Sequence, residues 1–229
     1  MQLETLDDEA AVAQRAAEFI AERTRDAVRQ RGRFTLAVSG GRTPWAMLRA
    51  LAALDLPWAQ LQLVQVDERV APDGDAVRNL TNIHASLLAH APLPAANLHA
   101  MPVTAPDLKA AVRDYAATLQ RVAGAPAVLD LVHLGLGSDG HTASLLPGDA
   151  ALQVADADVA LAGPYQGHRR MTLTYPVLDR ARAVLWLATG ADKRAMVARL
   201  LAGDRSIPAG RVAAQQALLL ADRAAAPGA

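Results

Sequence analysis

Val128-Leu129-Asp130-Leu131-Val132-His133-Leu134 runs directly into Gly135-Leu136-Gly137-Ser138-Asp139-Gly140-His141-Thr142-Ala143-Ser144. The apolar half reads as a buried strand and the glycine-rich half as a turn, with a short helix-like segment behind it. Open α/β sheets bind their ligands outside the carboxyl ends of such strands. The glycines let the backbone approach a ligand closely. His141, two residues after Asp139, supplies a base that works near neutral pH.

The neighbouring segments repeat the strand-then-helix rhythm. Asp8 to Gln30 carries Val12, Ala16, Phe19, Ile20 and Val28 at helical spacing. Phe34 to Val38 reads as a short buried strand, and Ser39-Gly40-Gly41-Arg42 as a turn. Thr43-Pro44 then opens a helix, with Thr43 as N-cap and Pro44 in the first helical position. Leu61 to Val66 is a strand that ends in Asp67-Glu68-Arg69, and a polar loop, Ala71 to Arg78, leads to a helix over Asn79 to His90. Asp107 to Val122 reads as a helix, and Arg169 to Thr174 and Ala183 to Ala188 as strands. Ala191 to Leu201 and Gln215 to Leu220 read as helices. This alternation predicts a parallel sheet with helices on both faces. No repeat or long linker divides the chain, so residues 1–229 read as a single α/β domain.

Composition narrows the function classes. With 52% hydrophobic and 3% aromatic residues, the core is built mostly from Ala, Val and Leu. Lys plus Arg and Asp plus Glu are 23 each, so the basic excess of a nucleic-acid binder is missing. The absence of cysteine excludes disulfides, thiol nucleophiles and cysteine-based zinc sites. No uncharged apolar run is long enough to span a bilayer, and the acidic start at Met1 lacks the pattern of a signal peptide. The expectation is a cytoplasmic protein with no membrane or nucleic-acid partner. His84, His90, His99 and His168 show no zinc-ligand spacing, and His133 inside a strand reads as a core residue. No metal and no cofactor are expected.

Three further clusters could carry chemistry. A glycine pair between strand and helix at Ser39-Gly40-Gly41-Arg42-Thr43 exposes successive N–H groups at a helix N-terminus, and the Ser39 and Thr43 hydroxyls add donors. That combination suits a phosphate; otherwise it is a tight turn with a helix cap. Asp67 and Arg69 stand where a strand ends, at the rim of a cleft or simply in water. Arg170 begins an apolar strand. Lys193 sits in the first turn of a helix, where a cation opposes the helix dipole unless an anion is near. Gly135 to Gly140 also matches Gly-x-Gly-x-x-Gly, but it follows a late strand, and Pro147-Gly148 leaves little room for the helix that fingerprint needs.

Taken in order, these blocks resemble the 6-phosphogluconolactonase family, which shares a superfamily with glucosamine-6-phosphate deaminase. The matching pieces are Ser39-Gly40-Gly41 with Thr43-Pro44, Asp67-Glu68-Arg69 followed by Asn79, Gly135 to Leu145 with Pro147-Gly148, Arg170-Met171-Thr172-Leu173-Thr174, and Gly190 with Lys193. The resemblance implies a Rossmann-like, three-layer αβα fold with a mostly parallel sheet. It implies hydrolysis of 6-phospho-D-glucono-1,5-lactone without a cofactor, by a monomer or small homo-oligomer. His141 would activate water beside Asp139. Ser39, Gly40, Gly41, Arg42 and Thr43 would line the phosphate end with Arg170 and Lys193. Asp67, Arg69, Asn79 and Gly137 would border the sugar.

The chain departs from the family pattern at Arg78, where serine is frequent, and at Gly167-His168-Arg169, where a proline-rich stretch is usual. The amino-sugar deaminases place a carboxylate five residues after the histidine; here that residue is Leu146. A non-catalytic sugar-phosphate-binding domain would keep the Ser39 loop without needing both Asp139 and His141.

Overall fold

The computed structural model describes residues 1–213 and 215–228. The first half of the chain forms β1 (Gln2–Leu6), α1 (Glu9–Arg31), β2 (Phe34–Val38), α2 (Arg42–Ala52), β3 (Leu61–Gln65), β4 (Asp67–Arg69), α3 (Asn79–Ile83), β5 (Leu98–His99) and α4 (Leu108–Ala123). The second half forms β6 (Leu131–Gly135), β7 (Val159–Tyr165), β8 (His168–Leu173), α5 (Tyr175–Asp179), β9 (Val184–Ala188), α6 (Arg194–Leu201) and β10 (Ala217–Asp222). Seven strands make one parallel sheet in the order β1-β10-β9-β6-β2-β3-β5, and β4, β8 and β7 make a small antiparallel sheet beside it. The three-layer α/β architecture expected from the alternation of elements is present.

Burial on both faces explains the uniformly apolar strands. Phe34, Leu36 and Val38 of β2 face a cluster with Val12, Ile20, Met47, Leu48 and Leu51 of α1 and α2. Ala37, Val64, Val132 and Leu134 face the opposite cluster, where Tyr115 and Leu119 of α4 meet Val197 of α6 and Met171 and Leu173 of β8. Helix α1 starts where Asp8 accepts from the Ala11 N–H at 2.8 Å and stops at Gly32, whose φ of 73° only glycine adopts easily.

Strand order reverses between β2 and β6. From β2 the chain steps outward through β3 to β5, then returns to lay β6 on the other side of β2. The loops that leave these two strands therefore open a crevice between them. One is Ser39–Gly41 and the other is Leu136–His141.

Four elements differ from the sequence reading. Gln215–Leu220 does not form a helix, because Ala217–Asp222 is a strand between β1 and β9. A Leu- and Ala-rich run favours helix locally, but this slot offers burial on both sides and backbone partners along both edges. Helix α2 begins at Arg42 with Gly41 as its cap, so Thr43 lies inside the helix and does not cap it. No helix follows His141; instead Thr142 bridges Leu145 and Ala143 takes a left-handed φ of 52°. Asp67-Glu68-Arg69 is not the end of the Leu61–Val66 strand but a strand in its own right. Among the described residues, no helix is long and apolar enough to cross a membrane.

Candidate active site

A cleft of about 380 Å³ lies over the switch point. Ser39, Gly40, Gly41, Arg42 and Thr43 line it from the β2 side, and Gly137 and His141 from the β6 side. Asp67, Arg69 and Arg170 close a third wall, and Lys193 a fourth. Eleven of the thirteen residues singled out in the sequence thus share one cavity. Asp139 and Asn79 stand just behind its lining.

His141 is held from behind. The Nδ1 of His141 lies 2.6 Å from Asp139 Oδ1, and the same oxygen accepts the His141 backbone N–H at 3.0 Å. Burial pushes the Asp139 carboxyl up, but the His141 N–H and imidazole outweigh it and hold it below the ordinary aspartate value. A carboxylate accepting from Nδ1–H leaves the Nε2 lone pair free, which is the form a general base needs. The turn is tight. A Cβ on Gly137 would stand 2.2 Å from His141 Nδ1 and 2.6 Å from Asp139 Oδ1, so only glycine fits.

The loop after His141 is pinned to the small sheet. Thr142 donates to the Gly135 carbonyl at 2.9 Å. Ser144 donates through its hydroxyl to Asp67 Oδ2 at 2.7 Å and through its N–H to Thr172 Oγ1 at 3.1 Å. These contacts replace the expected helix.

Strand parity assembles the charged wall. Asp67 pairs with Thr172, Glu68 with Met171 and Arg69 with Arg170. Directly opposed and alternate residues share a face, so Asp67, Arg69, Arg170 and Thr172 project together while Glu68 points into the interior. Glu68 is fully buried and accepts from Gln65 Nε2, Arg69 N, Asn79 N and Leu80 N, all within 2.8–2.9 Å. Arg78, 2% exposed, places Nε 3.2 Å from the same carboxylate and donates to Asp73 and the Ala71 carbonyl. Asn79, drawn in by Glu68, donates to the Asp67 carbonyl oxygen at 2.8 Å and accepts from Arg69 Nη1. It therefore holds the two rim charges in place without facing the cavity. A Cβ on Gly40 would meet Asn79 Oδ1 at 2.0 Å, which locks the glycine loop against it.

The wall opposes two like charges. Arg69 and Arg170 are direct cross-strand neighbours, an arrangement that repels unless something negative lies between or near them. Burial and then Arg69 push the Arg170 guanidinium down from its usual value, against the pull of Asp67, 3.8 Å away. Among the described residues, Arg170 Nε is buried without a partner. The N-terminus of α2 lacks a side-chain cap. Both features suit an anion in the cleft.

The two hydroxyls expected to serve that anion are already engaged. Ser39 donates to the His133 carbonyl at 3.1 Å, and its N–H to His133 Nδ1 at 3.3 Å. Thr43 Oγ1 donates to Glu9 at 3.0 Å and meets Thr189 Oγ1 at 2.9 Å. Glu9 also pairs with Arg42 at 2.8 Å, and Lys193 with Asp192 at 3.2 Å. The Arg42 hydrogen bond, working against burial, holds the Glu9 carboxyl below its ordinary value. His133 is wholly buried, and burial pushes its pKa down to about 3, so it is a neutral acceptor.

Sequence reasoning missed four contributors: Tyr165 beside His141, Thr189 in the lining, the Glu68 hub, and Asp222, which accepts from the Gly190 N–H at 3.0 Å and so anchors the loop carrying Lys193. Reading Asp67 to Arg69 as a strand would have turned Glu68 inward. The others leave no mark in the sequence.

The family model for glucosamine-6-phosphate isomerases/6-phosphogluconolactonase matches residues 7–220. The chain belongs to this family. A 6-phosphogluconolactonase of Nostoc sp. is 37% identical over 205 residues, covering 87% of this chain and 85% of that protein. The crystal structure of a 6-phosphogluconolactonase from Thermotoga maritima superposes with a TM-score of 0.88 at 26% identity, over 97% of this chain and 99% of the other. A monomeric glucosamine-6-phosphate deaminase superposes almost as well, TM-score 0.86 over 98% of both chains, but at 19% identity that likeness shows the fold alone. Within the isomerase/lactonase family the fold does not separate the two chemistries, so the side chains must.

Proposed function

We propose that this chain hydrolyses 6-phospho-D-glucono-1,5-lactone to 6-phosphogluconate, with His141 as the general base. The observation that supports the reading is that an Asp139-oriented imidazole shares one cleft with the Ser39–Gly41 loop, Arg170 and Lys193. A relative named 6-phosphogluconolactonase at 37% identity supports the same substrate.

The chemistry needs little more. A lactone is an activated ester. His141 Nε2 takes a proton from water as the water oxygen bonds to C1, and the carbonyl oxygen becomes an oxyanion. Collapse of that intermediate breaks the bond from C1 to the ring oxygen. The ring oxygen leaves as a hydroxyl on receiving a proton, which the imidazolium formed in the first step can return. Asp139 stabilises the imidazolium in between. The phosphate, held by the α2 N-terminus, Arg170 and Lys193, orients C1 toward the water. Asp67 and Arg69 face the sugar.

Deaminase chemistry is disfavoured by Leu146, an apolar core residue 6% exposed where that reaction calls for a carboxylate. The reading takes the enzyme to be cytoplasmic and a monomer or small homo-oligomer.

The test is direct. Lactone is generated with glucose-6-phosphate dehydrogenase, and acid release is followed above the spontaneous rate. The expected result is enzyme-dependent hydrolysis with no ammonia released from glucosamine 6-phosphate. Ammonia release, or no acceleration of lactone opening, would overturn the assignment.

A further inference from the structure

Strands β7 and β8 form a hairpin whose register slips near its tip. Ala162 opposes Arg170 and Tyr165 opposes His168, so three steps along β7 match two along β8. With strict alternation Tyr165, three residues beyond Ala162, would project away from the face that carries Arg170. The extra residue reverses that parity and turns the phenol ring onto the cleft side. Gly163, at φ 83°, lies in this bulge, and Asp149 Oδ2 accepts its N–H at 2.8 Å.

The ring that the bulge brings round touches both ends of the site. Arg170 Cζ lies 5.2 Å from its centroid, and the His141 ring makes a T-shaped pair with it, centroids 5.5 Å apart at 64°. Arg170 has few other holds. Its Nε is unpartnered, Asp67 is 3.8 Å away, and its hydrogen bond to the Tyr165 carbonyl is long at 3.5 Å. His141 keeps a quarter of its side chain exposed and, among the described residues, hydrogen-bonds through its ring at Nδ1 alone. An aromatic face attracts cations. Arg170 is one permanently, and His141 becomes one when it takes the proton of water.

We infer that Tyr165 is a positioning residue whose ring sets the relative placement of the His141 imidazole and the Arg170 guanidinium, and so couples the base to the anion anchor. The inference rests on the lactonase reading for its kinetic arm and on anion binding alone for its second arm. The ring acts, not the hydroxyl, which makes no hydrogen bond among the described residues.

The experiment compares wild type, Tyr165→Phe and Tyr165→Leu in lactone turnover, in inorganic phosphate affinity by calorimetry, and in thermal unfolding. Tyr165→Phe is expected to keep kcat and KM within about twofold, because the ring's face is retained. Tyr165→Leu is expected to lose about tenfold in kcat/KM, shared between a lower kcat and a higher KM, and to bind phosphate several-fold more weakly. A leucine variant that turns over and binds like wild type, or that changes only in melting temperature, would overturn the inference. So would a phenylalanine variant as impaired as the leucine one. Should wild type itself open no lactone, the functional assignment fails, and the phosphate arm still decides whether Tyr165 holds Arg170.

Discussion

Two regions build this cleft by different means. At the β2/β6 switch point the parallel sheet presents backbone and one histidine, on loops whose shape depends on Gly40, Gly41 and Gly137. In the small antiparallel sheet, strand parity presents charged side chains, Asp67, Arg69 and Arg170, while the alternate residue, Glu68, is sent inward to gather the surrounding N–H groups. The first region keeps its buried titratable residue, His133, neutral. The second keeps its own as an ion pair, Glu68 with Arg78. Loop geometry thus places the histidine, and a buried charge network holds the charged wall.

Breaking the first region should cost turnover. His141→Ala is expected to lower kcat by roughly 10²- to 10⁴-fold, the usual worth of a general base. Phosphate affinity, read by calorimetry, should stay within about threefold, because the anion contacts lie elsewhere. A loss of binding equal to the loss of turnover would merge the two regions.

Breaking the second should cost stability. Glu68→Ala removes the buried partner of Arg78, leaving it the exposed Asp73 carboxylate, and strips four N–H groups of their acceptor. We expect destabilisation of about 3–5 kcal/mol in denaturant unfolding. Unchanged stability would mean that water replaces the carboxylate.

The glycines sharpen the division. Gly137→Ala drives a methyl into His141 and Asp139, and Gly40→Ala into Asn79. Misplacing the base by about 1 Å should cost on the order of 10² in kcat. Disturbing Asn79 should instead act through Arg69 and Asp67, raising KM more than it lowers kcat. Steady-state kinetics on the two variants would show identical kcat and KM patterns if the regions were not separate.

A further effect depends on pH. His133 is held neutral when folded, with a pKa near 3, whereas in the unfolded chain it titrates near 6.5. As pH falls below about 6.5 the unfolded state gains a proton that the folded state refuses. Stability should therefore fall by at most about 1.4 kcal/mol per pH unit from this residue, down to about pH 3, and none of this loss should appear above the upper limit. His133→Leu should flatten that part of the stability–pH curve. Parallel curves for the two proteins would show that the folded state accepts the proton.

Much of the β2/β6 region was legible because local sequence dictates it. A strand followed by glycines and a histidine near an aspartate carries its geometry within a few residues. The small sheet was legible only in Arg169–Thr174, which reads as a strand; nothing there, in residues 67–69 or in residues 159–165 shows which partner each meets. Charges at Asp67-Glu68-Arg69 suggest solvent until pairing with β8 supplies the parity that divides them. Ala217–Asp222 was misread for a related reason: its Leu and Ala residues prefer helix until two neighbouring strands offer a buried slot.

By itself, then, the sequence determined the alternation of strands and helices, the glycine turns, and the pairing of Asp139 with His141, since each follows from contacts between near neighbours in the chain. Only the tertiary structure decided that Ser39 and Thr43 spend their hydroxyls internally, that Asn79 supports the rim charges from behind, and that Tyr165 turns toward Arg170. The hydroxyl partners of Ser39 and Thr43 lie 34 to 146 residues away, and the placing of Asn79 and Tyr165 follows strand register, where a shift of one residue exchanges every inward and outward side chain.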